Sequence, residues 1–163
     1  CNQSNTPLVY LQHTTGYMVG RASEEAGMIK HGSKMIQALS NATVPQITLL
    51  CGASFGAGHY GMCGKAFRPR FCFSWPTART AVMGGEAARK GVAVDEAKLA
   101  AQKQEIVDNF ERQASAFYTS GHLLDDGVID PRQTRAVLAF VLATAREADQ
   151  RTLRPVQFGV ARF

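Results

Sequence analysis

The segment Gly52–Gly64 holds five glycines within thirteen residues, and it restricts the possible folds more than any other part of the chain. It follows the apolar run Gln46–Cys51, whose composition is typical of a buried strand. A glycine-rich turn after such a strand usually leads into a helix, and we expect this helix to begin near Ala57 or Gly58. The pattern therefore predicts a strand-turn-helix unit in an α/β protein.

A second strand and a helix precede this unit. Pro7–Leu11 reads as a short buried strand. The spacing of apolar residues then predicts a helix over Glu24–Asn41, which Pro45 stops. The face expected to be buried consists of Met28, Gly32, Met35, Ile36 and Leu39. Strand, helix and strand form a β-α-β unit, so the two strands should be parallel.

The second half of the chain predicts two more short strands and two long helices. The strands are expected at Phe71–Trp75 and Thr80–Met83, after which Gly84–Glu86 should turn the chain. An amphipathic helix is predicted over Asp95–Tyr118. Asp130-Pro131 should open the last helix, because Asp is a good N-cap and Pro fits the first helical position. Its buried face is expected to hold Val137, Leu138, Val141, Leu142 and Ala145.

Three sequence motifs overlap in the glycine-rich segment. Residues 56–61 match the dinucleotide fingerprint G-x-G-x-x-G, but no Asp or Glu stands in the window around Phe73–Met83 where that site needs one. Residues 52–56 match G-x-S-x-G, in which Ser54 would be a hydrolase nucleophile. We do not expect a triad in the usual order, because His122 precedes Asp125 and Asp126, and the only other later histidine, His59, is five residues from Ser54. A phosphate-binding P-loop also fails, since Lys65 is followed by Ala66.

These motifs share one physical property, which the sequence does retain. A glycine-rich turn that leads into a helix exposes backbone N–H groups, and the helix dipole favours negative charge there. Such a turn can bind a phosphate or stabilise an oxyanion that develops during a reaction. It can equally be a tight turn whose glycines serve close packing, and the local sequence leaves these alternatives open.

Bulk properties exclude several classes of function. The chain has 163 residues, enough for one domain, and its net charge of +5 comes from scattered basic residues without the interleaved aromatics of a nucleic-acid surface. No apolar run approaches the length of a membrane span, and the first residues do not read as a signal peptide. Four widely spaced cysteines and four dispersed histidines predict neither a disulfide framework nor a metal site, which favours a reducing, cytosol-like compartment.

Several motifs, taken jointly, resemble one family over nearly the whole chain. They are Thr15–Gly20, Gly27–Met35, Val44–Thr48, Ser54–Gly64, Trp75-Pro76, Val82–Glu86 and Asp125–Pro131. Together they are similar to the carboxyltransferase (β) subunits of biotin-dependent acyl-CoA carboxylases, and closest to those of the methylcrotonoyl-CoA and geranyl-CoA carboxylase type. The resemblance implies an α/β, crotonase-like fold of stacked β-β-α units.

The same resemblance implies an enzyme that transfers a carboxyl group from carboxybiotin to an acyl-CoA. Residues 1–163 resemble only the C-terminal, biotin-side half of the subunit, so we expect the acyl-CoA-binding half to be lacking and the fragment alone to be inactive. The implied partners are a biotin carboxylase and biotin carrier subunit, an acyl-CoA substrate and further copies of the subunit. Nucleic acid and membranes are not expected partners, and the implied location is the cytoplasm, or the mitochondrial matrix in a eukaryote.

The resemblance also assigns roles to particular residues. Ala57 and Gly58 match the backbone N–H groups that stabilise the biotin ureido oxygen, and Gly16, Tyr17, Gly56 and Tyr60 match residues that face biotin or substrate. Biotin would reside on the partner's carrier domain, and no metal is expected. Two alternatives remain at this stage: a non-catalytic assembly subunit, suggested by a segment after Glu86 that is short for the family, and a serine hydrolase that uses Ser54.

Overall fold

A computed structural model describes residues 1–83, 96–155 and 159. Four strands and six α-helices lie within these ranges. The strands are β1 (Leu8–Thr14), β2 (Gln46–Phe55), β3 (Phe71–Ser74) and β4 (Arg79–Ala81). The helices are α1 (Arg21–Glu25), α2 (Met28–Ser40), α3 (Gly56–Gly61), α4 (Glu96–Ala114), α5 (Ala116–Gly121) and α6 (Thr134–Gln150), and 3₁₀ turns occur at Lys65–Phe67 and Pro131–Gln133. The predicted turn at residues 84–86 lies outside the described residues.

Strand β2 is the centre of a four-stranded parallel sheet. It pairs with β1 along one edge, where Leu8 lies opposite Gln46 and Leu11 opposite Leu49. Along its other edge it pairs first with β3 and then with β4, which follow one another end to end. The structure thus confirms the parallel β-α-β unit and the α/β class.

The second strand is longer than the sequence indicated. The sequence predicted that it ends at Cys51, yet Gly52–Phe55 continue it. The extension is stabilised by pairing on both sides, since Ser54 lies opposite Thr14 of β1 and Thr80 of β4. A bulge precedes this point, and there a Cβ atom built on Gly52 would lie 3.2 Å from the His13 ring. Backbone pairing therefore overrides the low strand propensity of glycine.

The predicted helix over Glu24–Asn41 is divided into α1 and α2. Gly27 separates them with a φ of +87°, a left-handed conformation that breaks the run of helical hydrogen bonds. Of the face expected to be buried, Gly32 and Leu39 are buried, whereas Met35 is 41% exposed. Met28 and Ile36 are half-buried, so within the described chain this face is buried only in part.

The core lies between the sheet and α6. Ile47, Leu49 and Phe73 form a buried cluster with Val141 of α6. Val137, Leu138 and Leu142 pack against this cluster, and Ala145 is buried one turn farther along, so the predicted buried face is confirmed. Each large apolar side chain fully buried here contributes about 1.5–3 kcal/mol.

The predicted helix over Asp95–Tyr118 is also interrupted. Helix α4 ends at Ala114, and Ser115 is extended with a φ of −58° and a ψ of 139° before α5 begins. Ser115 forms an isolated antiparallel bridge with Arg79, the first residue of β4. This contact with the sheet, which periodicity cannot reveal, ends the helix early. Among the described residues, no helix is both long and apolar enough to cross a bilayer.

Candidate functional site

The turn between β2 and α3 depends on glycine at position 56. Gly56 has a φ of +54°, which places it in the left-handed region that a residue with a Cβ atom rarely adopts. A Cβ atom built on it would also lie 2.9 Å from the carbonyl oxygen of Val82. The chain therefore reverses sharply against the segment that follows β4, and α3 begins at once, as expected.

Gly58 allows α3 to approach the end of β1. A Cβ atom at Gly58 would lie 2.9 Å from Thr14 Oγ1 and 3.0 Å from the Gly16 Cα. Thr14 Oγ1 in turn accepts a hydrogen bond of 3.2 Å from the Gly16 N–H. Gly16 itself has a φ of +117°. The two glycine turns, far apart in sequence, are thus brought into direct contact.

The first turn of α3 presents backbone donors. The first four N–H groups of an α-helix have no carbonyl partner within the helix, and Ala57 and Gly58 occupy such positions. Phe55, the residue before the helix, forms no side-chain cap. Ala57 is exposed and Gly58 is buried behind it. The partial positive charge of this turn favours an anion or a carbonyl oxygen that gains negative charge.

A cavity of about 360 Å³ opens beside this turn. Among the described residues that surround it, most side chains are apolar and Glu24 is the one charged residue. The lining residues are Thr15, Gly16, Tyr17, Met18, Val19, Glu24, Met28, Ile29, Gly56, Ala57, Val82 and Met83. Of the predicted site residues, the structure therefore brings Gly16, Tyr17, Gly56 and Ala57 together around a volume that suits a small organic group, whereas Gly58 and Tyr60 are not in the lining.

Tyr17 is packed into the wall of the cavity by two further glycines. A Cβ atom at Gly32 of α2 would collide with the Tyr17 ring, and one at Gly61 of α3 would lie 2.6 Å from the Tyr17 hydroxyl oxygen. Within the described part of the chain, this hydroxyl is the one buried side-chain polar group without a hydrogen-bond partner. The ring is thus held by close packing, and its hydroxyl does not contribute a hydrogen bond.

Tyr60 lies apart from these residues. Its ring packs on Phe67 with a centroid distance of 4.6 Å, and the residue is 45% exposed. It does not line the cavity. A substrate contact at Tyr60 therefore stays a prediction, and it would involve a surface outside the cavity.

Ser54 is enclosed by a polar network that the sequence did not reveal. Its Oγ lies 2.5 Å from Gln12 Oε1 and 3.1 Å from His59 Nδ1, and His59 Nδ1 lies 2.9 Å from the same Gln12 oxygen. Gln12 and Ser54 have no exposed surface. Gln12 stands in a run of polar residues after an apolar strand, which is too common a pattern to identify it. Because no substrate can reach the Ser54 hydroxyl, the geometry does not favour a serine hydrolase.

The remaining candidates have structural roles. Asp125 accepts from the Gly127 N–H at 3.0 Å and from Ser74 Oγ, and Asp126 accepts from the Cys72 N–H at 2.7 Å. All four cysteines are free. Burial raises the pKa of the Cys72 thiol to about 12, so it is unreactive at neutral pH. No group of three or more potential metal ligands occurs among the described residues.

A family model and curated relatives both match this chain. Residues 1–158 match the model of a family described as the carboxyl transferase domain. The chain is 53% identical over 155 residues to a probable biotin-dependent acyl-coenzyme A carboxylase beta2 subunit of Mycobacterium tuberculosis; this match covers 87% of the chain and 29% of the relative. It is 45% identical over 176 residues to the mitochondrial methylcrotonoyl-CoA carboxylase beta chain of Arabidopsis thaliana, covering 100% of the chain and 30% of the relative.

A solved structure is similarly close. The geranyl-CoA carboxylase beta subunit of P. aeruginosa superposes with a TM-score of 0.90 at 48% identity, covering 100% of this chain and 33% of that one. This similarity confirms the crotonase-like fold predicted from the sequence. The chain therefore spans about a third of the length of the proteins that it matches.

Proposed function

Because the chain belongs to the carboxyl transferase family, we propose that it forms the biotin-side half of a site that transfers a carboxyl group from carboxybiotin to an acyl-CoA. The observation that carries this proposal is the position of α3. Its first turn packs against the end of β1, and Ala57 lines a cavity together with Gly16 and Tyr17.

The residues present fit the ureido group of biotin. Carboxybiotin, when bound, would supply the carboxyl group, and the backbone N–H groups of Ala57 and Gly58 would hold its ureido oxygen. The N–H groups of Ala57 and Gly58 donate hydrogen bonds to this oxygen and stabilise its negative charge. Glycine at 56 and 58 lets this turn pack against the Val82 carbonyl oxygen and the end of β1, where a Cβ atom would not fit.

No side-chain nucleophile is required by this arrangement. Gly16, Gly56 and Ala57 all line the cavity, and the Tyr17 ring, which also lines it, packs against Gly32 of α2. We assign biotin or substrate contact to Gly16, Gly56 and Tyr17. Tyr60, exposed beside Phe67, is assigned to a contact with substrate or with a neighbouring subunit outside the cavity.

The proposed site is incomplete within these 163 residues. We assign residues 1–163 to the C-terminal half of a carboxyltransferase subunit, whose other half binds the acyl-CoA. The chain spans about a third of its relatives, which supports this assignment. Biotin would then arrive on the carrier domain of a biotin carboxylase partner, and the two halves would meet between copies of the subunit. The 163 residues alone would not turn over.

The relatives also support the proposed substrate class and location. One is named for methylcrotonoyl-CoA and another for geranyl-CoA, so we propose a branched, unsaturated acyl-CoA as substrate. The Arabidopsis relative is named as mitochondrial, which supports a mitochondrial matrix location in a eukaryote and the cytoplasm in a bacterium.

The direct test uses the complete subunit that contains this sequence, purified with its biotinylated partner. Carboxylation is measured with ATP and labelled bicarbonate and with 3-methylcrotonoyl-CoA, geranoyl-CoA, propionyl-CoA and acetyl-CoA. We expect label in a branched acyl-CoA that depends on the subunit. Carboxylation of the partner's biotin, without transfer to any acyl-CoA, would contradict the proposal.

A further inference from the structure

Three side chains from three different elements meet beneath the first turn of α3. They are Gln12 from β1, Ser54 from β2 and His59 from α3 itself. All three pairs lie within hydrogen-bond distance, at 2.5, 3.1 and 2.9 Å. We call this set the Gln12–Ser54–His59 network. No part of it lines the cavity, so its contribution to the site must be indirect.

The distances specify where the protons lie. Gln12 Nε2 donates to the carbonyl oxygen of Met62 at 2.6 Å, so Gln12 Oε1 faces the other two side chains as an acceptor. Ser54 has one hydroxyl proton and donates it to that oxygen. His59 Nδ1 must therefore carry a proton, which it shares between Gln12 Oε1 and Ser54 Oγ. Burial lowers the pKa of His59, so Nε2 carries no proton at neutral pH.

The network holds α3 at two points. His59 lies within the helix, and Met62 is the residue that ends it. Gln12 bonds to both, through its oxygen and its nitrogen respectively. A six-residue helix is too short to be stable by itself, because nucleation is costly and few hydrogen bonds repay it. The orientation of α3 must therefore come from contacts with the sheet, and this network supplies the polar ones.

We propose that Gln12, Ser54 and His59 are positioning residues that fix α3 against the ends of β1 and β2 and thereby aim the Ala57 and Gly58 N–H groups. This inference deepens the proposed function and rests on it for its catalytic consequence. The structural part of the inference is that α3 depends on the hydrogen bond from His59 Nδ1. This part does not depend on the proposed function. Donors placed for an oxyanion lose effect with small displacements, so a loosened α3 lowers turnover more than substrate binding.

Two substitutions at one position separate positioning from other roles of the imidazole. In His59→Asn the side-chain amide nitrogen can occupy the place of Nδ1 and keep the hydrogen bond to Gln12. In His59→Gln the side-chain amide reaches the place of Nε2 instead, so it cannot donate the hydrogen bond to Gln12. Ser54→Ala is a second, nearly isosteric variant that removes both hydrogen bonds of the Ser54 hydroxyl and leaves the one between His59 and Gln12.

Two readouts apply to all three variants of the complete subunit. We expect His59→Gln and Ser54→Ala to lower kcat about tenfold or more and to change the KM for acyl-CoA less than about threefold, with His59→Asn within about threefold of the unmodified enzyme. Amide hydrogen exchange over residues 56–62 should be faster by about tenfold or more in His59→Gln and unchanged in His59→Asn. Exchange in α6 should be the same in all variants, which shows that the fold is intact.

The two readouts keep the inference and the proposed function distinguishable. If the unmodified enzyme carboxylates no acyl-CoA, the proposed function fails, while hydrogen exchange still decides whether the network orders α3. Equal exchange and equal turnover in His59→Asn and His59→Gln would overturn the inference. So would retention of activity in His59→Gln with loss in His59→Asn, since Nε2 would then be the functional atom.

Discussion

Substitution of Gly56 by alanine tests whether the sharp turn before α3 requires glycine. The backbone at Gly56 has a φ of +54°, and the new Cβ atom would lie 2.9 Å from the carbonyl oxygen of Val82. The left-handed conformation costs alanine about 1–2 kcal/mol. A carbon and an oxygen cannot stay this close, so the turn or the Val82 carbonyl must also shift. With that shift included, we expect the free energy of unfolding to fall by about 2–3 kcal/mol.

Urea unfolding of the chain, followed by circular dichroism, measures this change. Gly121→Ala is a matched control, because Gly121 ends α5 without a positive φ and a Cβ atom there would meet nothing within 4 Å. We expect the control to change the free energy of unfolding by less than about 0.5 kcal/mol. In the complete subunit, Gly56→Ala should also lower kcat, since it displaces Ala57. A Gly56→Ala variant as stable and as active as Gly121→Ala would refute the argument that glycine is required at this turn.

Three further predictions follow from buried groups near the site. Tyr17→Phe removes a hydroxyl that is buried without a partner in the described chain, so the free energy of unfolding should rise by about 1 kcal/mol; a decrease in urea unfolding would show that the hydroxyl is bonded. Burial lowers the pKa of His59 from 6.5, so the unfolded state binds the proton more readily. Stability should then be full above about pH 6.5 and decline below it, and the decline should be smaller in His59→Asn; equal pH profiles would contradict this. A fluorophosphonate probe should not label Ser54, whose residue has no exposed surface; labelling that Ser54→Ala abolishes would restore the hydrolase hypothesis.

The sequence predicted those parts of the fold that local patterns encode. The parallel β-α-β unit, the helix that starts at the glycine-rich turn and the buried face of α6 all follow from apolar spacing and from glycine and proline positions. The sequence prediction is wrong where contacts with the sheet determine the ends of a strand or a helix. Strand pairing carries β2 through Gly52–Phe55, and a bridge from Arg79 to Ser115 ends α4 before α5.

In the site too, the sequence predicts the features that local patterns encode and misses those that depend on tertiary contacts. The sequence predicts where this turn lies, because a positive φ at residue 56 and a close approach to β1 at residue 58 both need glycine. Gln12 was not predicted, because its role depends on a bulge that brings β1 and β2 into a changed register. The sequence assigned Gly32 to a buried helix face. In the structure, Gly32 also makes room for the Tyr17 ring. Helical periodicity could not predict this contact, because Tyr17 lies outside α2.

The central claim concerns two backbone N–H groups, and replacement of an amide by an ester tests it with the smallest structural change. Incorporation of lactic acid at position 57, or of glycolic acid at position 58, replaces the N–H by an oxygen and leaves the side chain unchanged. Lactic acid at Ala136, an exposed residue in the first turn of α6, is the control for the ester itself.

Each ester is introduced into the complete subunit, and transfer from carboxylated carrier to acyl-CoA is measured under single-turnover conditions. The account predicts that the esters at 57 and 58 each slow transfer by roughly 100-fold or more, while the ester at 136 leaves it unchanged. Transfer at the unmodified rate with esters at both 57 and 58 would contradict the account, because no N–H group would then remain at either position to stabilise the ureido oxygen.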